Sequence, residues 1–128
     1  MRLLIVDDEP DVARLFEQRL RRELKDGALE LRFARSAEEV FPMMDEEPMG
    51  GVIILSDINM PGMNGLELLA KLRGGGATMP IWMISAYENE HYQSEAQRLG
   101  ATGFIPKPLD FEELKRVIGL QAGQGAAE

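Results

Sequence analysis

Five short apolar runs punctuate the chain: LLIV at 3–6, LELRF at 29–33, VIIL at 52–55, IWMI at 81–84 and GFI at 103–105. Amphipathic stretches separate them. Between Pro10 and Asp26, Val12, Leu15, Phe16, Leu20 and Leu24 recur at helical spacing with Arg and Glu between them. Ser36 and Glu39 have the spacing of a capping box and predict a helix to Glu47, with Pro42 kinking it. Asn64 suits the cap of a helix running to about Arg73, with Leu66, Leu68, Leu69 and Leu72 in it. Asp110 suits the cap of a last helix, with Phe111, Leu114, Val117 and Ile118 on one face. The segment Glu88–Leu99 has only Tyr92, Ala96 and Leu99 as a thin apolar stripe, and predicts the most weakly docked helix.

Strand alternating with helix five times predicts an α/β fold, a single doubly wound parallel sheet covered on both faces. LLIV, VIIL and IWMI are apolar at every position, as strands buried on both sides must be. LELRF alternates and predicts one edge; the short GFI predicts the other. Right-handed crossovers then favour the strand order 2-1-3-4-5. In that order the chain reverses direction between strands 1 and 3, and such sheets bind ligands at that crevice, past the carboxyl ends of the strands.

Composition narrows the function. A chain of 128 residues with 45% hydrophobic content supports one domain with a core, here expected over 1–120, with 121–128 (QAGQGAAE) a frayed tail or linker stub. The net charge of -8 argues against direct nucleic-acid binding or grip on acidic lipid. The chain has no cysteine, which excludes disulfides and thiolate metal sites. No membrane span or signal peptide is legible, so a soluble, cytoplasmic domain is expected.

The polar residues of interest all fall where apolar runs end. Asp7, Asp8 and Glu9 follow the first run, Asp57 the third, Ser85 the fourth and Lys107 the fifth. Two carboxylates about 4 Å apart repel by roughly 4 kcal/mol at an effective dielectric of about 20. Lys107 or a divalent cation must therefore sit among them, and carboxylates with a backbone carbonyl and water form a Mg²⁺-type ligand set. Such a site, with an amine and a hydroxyl, suits a phosphoryl group, and Asp57 is placed to be its nucleophile. Taken singly, each residue has a plainer reading. Asp7, Asp8 and Glu9 could cap a helix, Asp57 could end a strand, Ser85 could be structural and Lys107 a surface lysine. The segment MPGMNG (60–65) is explained as turn and cap chemistry, the methionines as core filler, and His91 as a solvated side chain.

The set Asp7-Asp8, Asp57 followed by Met60-Pro61-Gly62-Met63-Asn64-Gly65, Ser85-Ala86 and Lys107-Pro108 closely resembles the CheY-like receiver domain of two-component response regulators, from Leu3 to about Leu120. The resemblance implies a flavodoxin-like (βα)5 fold. It implies that Asp57 accepts a phosphoryl group from a sensor histidine kinase or phosphotransfer protein. Mg²⁺ would be held by Asp8, Asp57 and the Asn59 carbonyl, with Asp7 acting through water. Ser85 and Lys107 would bind phosphoryl oxygens, and Ser85 with Phe104 would form the switch. The Lys107–Pro108 bond is expected to be cis. The fourth helix, fifth strand and fifth helix would form the face that changes, meets a downstream output domain or protein, and supports a dimer. Ser85 stands where threonine is more frequent, and Phe104 where tyrosine is. Tyr87 is placed to overhang the site and, with Asn59, to set the lifetime of the phosphorylated form.

Two other functions compete. A receiver-like docking module that is never phosphorylated would be expected to carry a damaged acidic pair, aspartate or lysine, and this chain has all of them. A phosphohydrolase of the haloacid-dehalogenase type needs a second aspartate two residues after the nucleophile; that position is Asn59, which has no proton to give. In the strict sense the chain is therefore expected not to be an enzyme, supplying catalytic groups only for its own phosphorylation and dephosphorylation.

Overall fold

The structure is a computed structural model, and it describes residues 1–46, 48, 50–86 and 90–120. Five strands, β1 (Arg2–Val6), β2 (Glu30–Ala34), β3 (Val52–Asp57), β4 (Ile81–Ser85) and β5 (Gly103–Pro106), form one parallel sheet in the order β2-β1-β3-β4-β5. The helices are α1 (Pro10–Arg19), α2 (Arg21–Lys25), α3 (Val40–Glu46), α4 (Gly65–Gly74), α5 (Glu90–Arg98) and α6 (Phe111–Ile118). The predicted strand order and both predicted edges are what the chain adopts. None of the helices among the described residues is long and apolar enough to cross a membrane.

Strand period decides which side chains go where. In β1, Leu3 and Ile5 join a core with Phe16, Leu20, Phe111, Leu114 and Ile118, under α1 and α6. Leu4 and Val6 point the other way and join Val40, Leu68, Leu69, Leu72 and Ala96, under α3, α4 and α5. Burying each large aliphatic side chain contributes about 1.5–3 kcal/mol, and the central strands contribute to both layers. Phe16 meets Phe111 edge to face at 5.2 Å between centroids, which locks α1 to α6. As its thin stripe predicted, α5 buries only Ala96 fully.

Two helix predictions need correction. The first helix breaks once, at Leu20, whose backbone opens to φ -110°, ψ 21°. The path stays helical in direction because the Leu20 N–H donates to the Phe16 carbonyl and the Leu24 N–H to the Leu20 carbonyl. The second helix neither starts at Ser36 nor kinks at Pro42. Ser36 Oγ accepts from the Glu39 N–H, but the Glu39 carboxylate accepts from the Arg35 N–H, so a turn forms and the helix begins at Val40. Pro42 thus lies in the first turn, where its missing N–H has no intrahelical partner to lose. Asn64 and Glu67 form a complete capping box, and Asp110 accepts from the N–H groups of Glu112 and Glu113.

A buried charge joins α2 to α6. Glu23 is 1% exposed, and its carboxylate lies 3.0 Å from the Lys115 ammonium. That neighbour raises the Lys115 pKa. Removing the ammonium would strand a buried anion. Lys115→Met is expected to cost about 3 kcal/mol in urea unfolding, whereas Glu23→Leu combined with Lys115→Met should come within about 1 kcal/mol of the parent. Equal losses in both variants would contradict this pairing.

Candidate functional site

The carboxyl ends of β1, β3 and β5 deliver the charged groups. Asp7, Asp57 and Lys107 each follow, two residues on, a side chain of the α1–α6 core: Ile5, Leu55 and Ile105. Strand period therefore carries all three to that face of the sheet. Main-chain bonds continue past the strand ends and hold the positions: Asp7 N–H to Ala34 O, Ile58 N–H to Ile84 O and Lys107 N–H to Ser85 O, at 3.0, 3.0 and 2.8 Å. Asp57 is the last residue of β3 and is 6% exposed.

One ammonium sits between two carboxylates. Lys107 Nζ lies 3.4 Å from Asp57 Oδ1 and 3.5 Å from Asp7 Oδ2. One oxygen from each of Asp7, Asp8 and Asp57 lies within 4.8 Å of the others. Burial pushes the Asp57 pKa above its ordinary value; Lys107 pulls it back, and Asp7 and Asp8 push it up again. Asp7 also accepts from the Glu9 N–H at 2.9 Å, a bond to the residue before α1 and not a cap on its first turn, so the plainer reading of these acids as a helix cap is not what forms. Glu9 is the N-cap residue of α1, and its side chain makes no cap hydrogen bond.

Ser85 lies on the opposite parity. It follows Met83 by two, and Met83 belongs to the core under α3–α5, as does the half-buried Phe104 packed against it. Met83 and Phe104 are ladder partners, so Ser85 and Phe104 share one face of neighbouring strands. Ser85 is fully buried. The Lys107–Pro108 bond is cis, as expected. Asn59 is exposed in the loop after β3, and Tyr87 lies outside the described residues.

Two residues hold this loop through contacts that have no signature in the sequence beyond that of a turn. Gly65 N–H donates to Ile58 O at 2.9 Å, closing the loop that carries Asn59. A Cβ on Gly65 would fall 2.2 Å from the Asp57 carbonyl oxygen, so only glycine permits this approach of α4 to the backbone at Asp57. Glu38 accepts from the Met63 N–H across 25 residues of sequence, a tie with no local signature.

A family profile described as response regulator receiver domain matches residues 3–119. The chain belongs to this family. Receiver domains are signalling domains that work with kinases and output domains, and this receiver domain is similar to several curated proteins. It is 32% identical to a chemotaxis protein CheY homolog of Campylobacter jejuni over the full length of both chains. It is 33% identical to the response regulator protein PilR of Pseudomonas aeruginosa and 34% to the transcriptional regulatory protein TctD of Salmonella typhimurium, matching 90% and 97% of this chain. The receiver domain spans only 24% of PilR and 54% of TctD. Among solved structures, it is similar to the chemotaxis protein CheY4 of Vibrio cholerae, at TM-score 0.78 and 26% identity, covering 92% of this chain and 95% of that one. A response regulator receiver protein of Pseudomonas putida shares the fold at TM-score 0.80.

The raised Asp57 pKa has a sign that can be tested. A carboxyl that holds its proton more tightly in the folded chain disfavours folding once ionised. In metal-free buffer at neutral pH, Asp57→Asn is expected to be more stable than the parent in urea unfolding. The advantage should shrink as pH falls through the raised Asp57 value, and vanish below the ordinary aspartate range. A variant less stable than the parent at neutral pH would contradict the desolvation account.

Proposed function

We propose that this receiver domain is a phosphorylation switch that accepts a phosphoryl group on Asp57 from a sensor histidine kinase or phosphotransfer protein of a two-component system. The observation that carries the reading is the placement of Lys107 Nζ, 3.4 Å from Asp57 Oδ1, within a cluster of three carboxylates. The donor set fits Mg²⁺: hard oxygen ligands, too many negative charges for one lysine, and an adjacent loop carbonyl. Asp8, Asp57 and the Asn59 carbonyl would hold the ion, with Asp7 acting through water. Bound there, it would neutralise the carboxylates and the incoming phosphoryl oxygens.

The remaining work falls to the chain's own groups. An Asp57 oxygen attacks phosphorus, a P–O bond forms, and the bond from phosphorus to the donor's nitrogen or oxygen breaks, its electron pair leaving with the donor. Lys107 is within reach to balance charge on one phosphoryl oxygen. Ser85 donates its hydroxyl to another and shifts toward it. Phe104 shares its face and fills the space left behind. Phe104 lies on β5 and packs into the core that α5 also joins, with α6 following β5 in the chain, so the α5–β5–α6 face is the one that changes, and a partner preferring the new arrangement draws the equilibrium further, by no more than its differential affinity. A downstream output domain or protein, or a second copy forming a dimer, would bind there. The setting is cytoplasmic, and the domain catalyses only its own phosphorylation and dephosphorylation.

Incubation with Mg²⁺ and acetyl phosphate or phosphoramidate, followed by intact mass, is expected to show one added phosphoryl group. None should appear on Asp57→Ala, and uptake should slow by about a hundredfold in Lys107→Ala. An unmodified parent would favour a docking module that is never phosphorylated.

A further inference from the structure

A cavity of about 260 Å³ opens beside Asp57, on the α1–α6 face of the sheet. Its walls are Val12, Leu15, Phe16, Leu55, Ile84 and Leu109. Among the described residues its charged rim is Asp7, Glu9 and Asp57 with Lys107, so three formal negative charges face one positive and two remain. Leu15, at the wall, is 38% exposed, a large apolar side chain left partly uncovered while its neighbour Phe16 is 1% exposed. Apolar cavities of roughly 150 Å³ stay dry and take up a benzene-sized guest, so this one is large enough for a substituted ring.

Charge and shape together select the guest. A neutral apolar molecule leaves the rim carboxylates unanswered, and an anion is repelled by them. We infer that the cavity binds a small cationic amphiphile, one aromatic ring or short alkyl group bearing an ammonium or amidinium, with the ring between α1 and the loop before α6 and the cation at Asp7, Glu9 and Asp57. The cation and Mg²⁺ draw on the same carboxylates, so each weakens the other; this competition rests on the magnesium reading above, whereas the seating does not. Such a guest would act as a brake on phosphoryl uptake by keeping metal from the nucleophile.

The test is a chemical-shift titration of the ¹⁵N-labelled full chain with benzamidine, benzyl alcohol and benzoate, with and without Mg²⁺. Benzamidine is expected to half-saturate on the order of 1 mM, with shifts confined to α1, the β3 end and the loop before α6. Benzyl alcohol and benzoate should bind at least about tenfold more weakly, and saturating Mg²⁺ should weaken benzamidine by about tenfold, with the reciprocal effect on Mg²⁺. Val12→Phe, which fills the cavity, should abolish benzamidine binding and leave Mg²⁺ affinity unchanged. Equal binding of benzyl alcohol would assign the cavity to a partner's apolar side chain and overturn the cationic reading. Absence of benzamidine binding, or binding indifferent to Mg²⁺ in a protein that takes up Mg²⁺, would overturn it as well. Failure to take up Mg²⁺ alone would instead count against the proposed function.

Discussion

Among the described residues, three carboxylates crowd the ends of two adjacent strands and the turn after one of them, and one ammonium stands among them. Lys107 comes within 3.5 Å of Asp7 and 3.4 Å of Asp57, yet it cannot neutralise the set alone. This shortage of positive charge is the constraint from which the rest follows. In the proposed function it would make the rim a place for a divalent cation and then for the oxygens of a phosphoryl group. It also keeps Asp57 poised, because burial raises the cost of its charge while the lysine lowers it. A strand buried on both sides is what can hold such a group in place against repulsion.

The sheet divides the work by parity. Asp7, Asp57 and Lys107 continue the face packed by α1 and α6, and Ser85 and Phe104 belong to the face packed by α3, α4 and α5. Chemistry on one side of β4 is thus separated by a single strand from the pair proposed to respond on the other. A phosphoryl group bridging from Asp57 toward Ser85 would couple the two faces without any change in strand register. The apolar cavity lies on the same side as Asp7, Asp57 and Lys107, so its occupancy would bear on metal uptake rather than on the responding face.

Much of this was legible in the residues. Uniformly apolar LLIV, VIIL and IWMI gave the central strands, and alternating LELRF gave an edge, because burial on two faces or one leaves those patterns. The charged ends of the runs gave the site, since parallel strands bring their carboxyl ends to one rim. What was not legible depended on long-range packing. The Glu23–Lys115 pair joins residues 92 positions apart, and the Glu38 tie to Met63 has no local pattern. Gly65 has the sequence signature of a turn, and its packing demand lies in the distance to the Asp57 carbonyl. The helix boundary after Ser36 shifted because side-chain to backbone bonds competed with the helix, which spacing alone does not report.

The most direct test of the charge-deficit account is the Mg²⁺ affinity of the parent compared with that of Lys107→Ala and Asp8→Asn, by calorimetric titration. The account predicts one saturable site in the millimolar range or tighter, strengthened when the competing ammonium is removed and lost when Asp8 is neutralised. A parent that takes up no magnesium, or a lysine variant with weakened affinity, would contradict it.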